Sequence, residues 1–137
     1  MFKIVLLFSS LMISNFAIAH GEDKYGPHRG FVRMPGAFHT EIVPVGKNKL
    51  KVFLLDIQWK NPSVINSKLQ IKYNGKLNAQ CEIQDNFYAC VFPNSVNITK
   101  KGELKVVAQR EDQKGMEVSY PLPLKLEVVN DGHGGKH

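Results

Sequence analysis

Hydrophobic and polar positions along this chain follow a period of two more often than a helical period, in short runs punctuated by turn residues. RGFVRM and AFHTEIVPV are separated by Pro35-Gly36, a turn pair. KLKVFLLDIQW places Leu50, Val52 and Leu54 on one face and Phe53, Leu55, Ile57 and Trp59 on the other. A strand apolar on both faces belongs in the middle of its sheet. After a loop at NPSVINS, KLQIKYNGKLNAQCEIQ carries Asn74-Gly75, a strong hairpin signal. FYACVF, a polar connection from Asn94 to Gly102, ELKVVAQR, a turn at Asp112 to Gly115 and MEVSYPLPLKLEVV follow. Pro121 and Pro123 mark the last run as an edge strand or a bent one. Seven or eight strands with almost no helix predict an all-β fold, an immunoglobulin-like antiparallel β-sandwich, with a small Greek-key barrel as the alternative.

The first nineteen residues have a different pattern. Lys3 precedes the apolar run VLLFSSLMISNFAIA, and Ala17 and Ala19 stand where a signal peptidase requires small side chains. The run is short and broken by serines, so it predicts a cleaved signal rather than a membrane span. Removing residues 1–19 of 137 leaves 118, a single domain at 20–129 with a polar, glycine-rich tail at 130–137 that is expected to be disordered. The expected location is periplasmic or secreted, with no membrane integration after cleavage.

Without Lys3, 17 basic and 12 acidic residues give +5. The lysines are scattered (Lys47, Lys49, Lys51, Lys68, Lys72, Lys76, Lys100, Lys101) as solvated strand faces would have them, and export argues against a nucleic-acid partner. The two cysteines fit an oxidising compartment. In CEIQDNFYAC a two-residue turn at Asp85-Asn86 pairs 84 with 87, 83 with 88, 82 with 89 and Cys81 with Cys90. If 84–87 is hydrogen-bonded, then 81–90 is not, and that closer pair suits a cross-strand disulfide. Two thiolate metal ligands or a redox pair are the other reading, although no CxxC spacing is present.

Three of the five histidines fall within AIAHGEDKYGPHRGFVRMPGAFHTE. Cleavage after Ala19 would put His20 at the new N-terminus. Its free amine and imidazole would together chelate Cu(II), and nitrogen donors also suit zinc and nickel. His28 follows Gly26-Pro27, while His39 and Glu41, two apart on a strand, face the same side. Met34 offers a thioether suited to Cu(I), and Glu22 or Asp23 could complete a ligand set. The non-metal reading makes His28 a turn residue, His39 a strand residue bonded to Glu41, Met34 a core residue, and His133 and His137 mere tail residues. Hydrolytic chemistry finds no G-x-S-x-G and no His-x-x-x-His helix, so no enzyme activity is expected.

The segment GPHRGFVRMPGAFHTEIV resembles the N-terminal periplasmic segment of heavy-metal efflux adaptor subunits, in which a PHGG pattern followed by an acidic-aliphatic pair opens a small β-domain. Pro27, His28 and Gly30 match, with Arg29 in place of the first glycine, and Phe38, Glu41 and Ile42 match the second part, with His39 as an extra histidine. The resemblance spans about twenty-five residues. It implies a periplasmic module that handles copper, or alternatively zinc, beside an efflux pump, with a metal-efflux adaptor or another envelope protein as partner. A weaker similarity, carried by His20 alone, is to small periplasmic copper-resistance proteins whose mature chain starts with histidine. The expected metal ligands are therefore His20, His28, His39, Glu41 and Met34. The competing expectation is a metal-independent interaction module that adds an edge strand to an envelope partner.

Overall fold

A computed structural model describes residues 23–126, so the signal segment, His20, Glu22, the tail and its histidines lie outside the described residues. The described chain is all-β: β1 (Phe31–Arg33), β2 (His39–Gly46), β3 (Lys49–Leu55), β4 (Lys68–Tyr73), β5 (Leu77–Asn78), β6 (Gln80–Gln84), β7 (Phe87–Val91), β8 (Gly102–Arg110), β9 (Gln113–Lys114) and β10 (Val118–Leu122). One antiparallel sheet runs β1-β2-β3-β7-β6 and the second β10-β8-β4-β5, with β9 paired to β8. The two are separate open sheets, a sandwich and not the closed barrel. Among the described residues no helix is long and apolar enough to cross a membrane.

Turn chemistry sets the hairpins. Asn74 and Gly75 both take positive φ, 50° and 68°, and the Lys76 N–H closes on the Tyr73 carbonyl at 3.0 Å, so β4 returns as β5. Asp85 also has positive φ, and β6 pairs β7 in the predicted register from Gln84↔Phe87 to Cys81↔Cys90. The latter pair is disulfide-bonded with its Cα atoms 4.0 Å apart, the close spacing of a non-hydrogen-bonded position.

Strand β3 is central, as its two apolar faces require. Its inner residues Leu50, Val52 and Leu54 join Ile42, Cys90 and Phe92 and meet Ile71, Leu104, Val106, Val118, Tyr120 and Leu122 of the other sheet in one core. Thr40 faces the same interior, and its hydroxyl lies 2.6 Å from that of Tyr120. Burial pushes the Tyr120 phenol well above its ordinary pKa, the Thr40 bond opposing that rise, so it stays a neutral hydrogen-bonding group. Strand β10 lies at a sheet edge, as its Pro121 demands.

Four element boundaries differ from the sequence expectation. Strand β3 ends at Leu55, not Trp59: the Asp56 carboxylate accepts the N–H groups of Gln58 and Lys60, both at 2.9 Å, and the Asn61 amide at 2.8 Å, closing a turn. Ile57 is consequently 58% exposed and Trp59 has φ of 64°. The turn after β8 is Glu111-Asp112, with Gln113 and Lys114 pairing back as β9. At Ala79 the chain leaves one sheet for the other, which splits the long 68–84 run. The final strand stops at Leu122, before the second proline.

The disulfide closes a loop with a sequence separation of nine. Reducing it, or replacing both cysteines by serine, is expected to cost about 2–3 kcal/mol in urea unfolding without changing the fold. A variant as stable as the oxidised protein would contradict that expectation.

Candidate functional site

Alternation along β2 divides its residues between the core and the outside of the sheet. Thr40 and Ile42 point inward, so His39 and Glu41 share the outer face. Opposite them on β3 stand Leu55 and Phe53, paired with His39 and Glu41 respectively. This outer face is covered rather than wet. The chain that leads into β1 folds across it, and Glu41 is 0% exposed.

A buried carboxylate needs donors, and the loop Gly26–Gly30 supplies them. Pro27 occupies the second position of a turn closed by the Arg29 N–H on the Gly26 carbonyl at 2.9 Å. Arg29 takes φ of 60°, and the Gly26 N–H then reaches the Gly30 carbonyl, also at 2.9 Å, the pattern of a three-residue hairpin loop. The left-handed residue turns the N–H groups of His28 and Gly30 toward one point, an anion-binding concavity. Glu41 Oε2 accepts both at 2.9 Å. Glu41 Oε1 lies 2.7 Å from His28 Nδ1.

Two glycines make the close approach feasible. A Cβ on Gly26 would stand 2.3 Å from Glu41 Oε2, and one on Gly30 would stand 2.6 Å from Glu41 Cγ and 2.7 Å from the Ile42 carbonyl. The His28 ring lies flat on Phe53, with 3.6 Å between ring centres and 3° between planes. Phe53 in turn leans on Phe87 at 5.2 Å. The His28 side chain remains 35% exposed.

His39 is 3% exposed and occupies a different environment on the same face. Its Nδ1 lies 3.1 Å from the Asp56 carbonyl, and its ring centre is 5.4 Å from that of Trp59. Thus Glu41 binds His28 across thirteen residues, where the strand spacing alone had offered His39 as its partner. Met34 follows β1, half-buried, beside the Pro35 turn, and Asp23 is exposed. Among the described residues no three His, Cys, Asp or Glu side chains gather as a metal-holding group. His28 and Glu41 are brought together, and His39 stands apart at the Asp56 turn.

Sequence reasoning missed Phe53 as the platform for His28, and Gly26 and Gly30 as the walls around Glu41. Alternation along β3 puts Phe53 on this outer face, opposite Glu41. The two glycines bracketing Pro27-His28-Arg29 were the signal for a tightly approached loop. The chain matches no family model, no curated protein and no solved structure.

Gly26→Ala is expected to lower stability by about 1–3 kcal/mol in urea unfolding, through the clash with Glu41. Gly46→Ala is the control, because its nearest contact would be the Lys49 Cβ at 3.8 Å, and it is expected to change stability by less than about 0.5 kcal/mol. Equal effects of the two substitutions would contradict the packing described around Glu41.

Proposed function

We propose that this protein is an exported metal-binding module that takes up a copper ion, with zinc as the alternative, and buffers or delivers it beside an efflux system. The observation that carries the reading is the His28–Glu41 pair: a partly exposed imidazole held in one orientation against a sheet by a buried carboxylate. Metal-binding histidines characteristically bond their second nitrogen to a carboxylate or carbonyl in this way. His28 stands eight residues after His20, the residue that cleavage after Ala19 would make N-terminal.

A single imidazole is not a metal site, and the rest of the ligand set has to come from elsewhere. The amine and imidazole of His20 supply nitrogen donors that suit copper most strongly among the common divalent ions. Met34 is a further candidate ligand, and His39, on the same sheet face as Glu41, would have to leave its place at the Asp56 turn to join it. The resemblance of the 26–42 segment to efflux-adaptor domains supports the same direction. Arg29 replaces that motif's first glycine, and its φ of 60° is the backbone conformation that glycine adopts most readily.

Correctly processed protein, titrated with Cu(II) in a calorimeter, is expected to bind one ion. Replacing His20 by Ala, or adding one residue before it, is expected to weaken binding by about tenfold or more. Binding no tighter than about millimolar in the processed protein would overturn the proposal.

A further inference from the structure

Glu41 was a candidate ligand, but its geometry assigns it another task. We infer that Glu41 is a positioning residue: it fixes His28 in the form protonated on Nδ1, so that Nε2 is the atom presented to a cation. The consequence for metal uptake rests on the metal-binding reading above, while the tautomer itself is a property of the metal-free protein.

Both oxygens of Glu41 are occupied. Oε2 accepts two backbone N–H groups, and Oε1 faces His28 Nδ1 at 2.7 Å, in a side chain with no solvent access. Bonding a cation through Glu41 would require the Gly26–Gly30 loop to come apart. An ionised carboxylate only accepts hydrogen bonds, so the proton between Oε1 and Nδ1 belongs to the imidazole. A neutral imidazole with its proton on Nδ1 has a lone pair on Nε2. Nδ1 points at a buried group and one ring face is covered by Phe53, so the 35% of the side chain that remains exposed belongs to the other face and the far edge, where Nε2 lies. Donation of Nδ1–H to a carboxylate also makes Nε2 more basic, which strengthens its bond to a borderline cation such as Zn(II) or Cu(II).

Glu41→Gln separates positioning from mere support. The amide oxygen can take the place of Oε2 and keep both backbone N–H bonds. The amide NH2 then faces His28 Nδ1 and can only donate, which drives the imidazole proton to Nε2 and removes the outward lone pair. A purely structural role would leave the tautomer unchanged.

The test is long-range nitrogen–proton NMR of the histidine rings in the processed chain. It is run without metal at about pH 8.5, two units above the ordinary imidazole value. The expected spectrum shows His28 with the proton on Nδ1, reversed in Glu41→Gln, while His39 serves as the unaffected reference. Zn(II) added to the native protein is expected to perturb His28 Nε2 before Nδ1, and the Gln variant is expected to bind it about 10–100-fold more weakly. His28 protonated on Nε2 in the native protein, or an unchanged tautomer in the variant, overturns the inference. Zinc bound equally by both forms despite a reversed tautomer overturns the assignment of Nε2 and leaves the metal-binding reading intact. A reversed tautomer with no zinc binding in either form does the opposite. If the variant fails to fold, the native spectrum and its zinc titration still decide.

Discussion

The need to satisfy one carboxylate buried on the outside of a sheet organises the N-terminal part of this protein. Glu41 sits on β2 where alternation directs it away from the core, yet it is wholly enclosed. An unpaired charge in such a place costs several kcal/mol, so the chain that covers it has to bring donors. That requirement explains the loop's shape. Two N–H groups must converge, which needs a left-handed residue between them, and Arg29 provides it at φ 60°. The loop must also approach to van der Waals contact, which needs glycine on both sides of the turn. The orientation of His28 follows from the same carboxylate, with Phe53 as its floor.

The sandwich supplies the rigidity behind this arrangement. Where His39–Ile42 of β2 lie beside Val52–Leu55 of β3, both faces are covered, one by the opposing sheet and the other by the N-terminal loop and the Asp56 turn, whereas Val45, Lys49 and Lys51 nearer the hairpin are exposed. Phe53, Leu55 and His39 form a thin second layer there, continuous with Phe87 on β7 and Trp59 beyond β3. The partly exposed His28 ring, stacked on Phe53 and bonded to Glu41, has little rotamer freedom on such a surface.

Much of the fold was legible because its signals are local. Asn74-Gly75 and Asp85-Asn86 state their turns outright, and the second fixes the cysteine register by counting. The double-faced apolar pattern of 50–55 marks a central strand wherever it occurs. The extension of that strand to Trp59 failed because alternation in Asp56–Trp59 mimics a strand, while the Asp56 side chain captures its own backbone. The pairing of Glu41 with His28 was not legible for a different reason. Strand periodicity puts Glu41 beside His39, and only the folding of a distant loop decides which imidazole reaches it. The sequence thus marked the residues that meet on this face but not which imidazole pairs with Glu41.

The carboxylate of Glu41 holds the loop by two backbone N–H groups at once. Amide hydrogen exchange in the metal-free protein addresses it most directly. The amides of His28 and Gly30 are expected to exchange together, at least about a hundredfold more slowly than in an unstructured peptide. Exchange of either amide at the unstructured rate would contradict the account, since the buried carboxylate would then lack the donors that define the site.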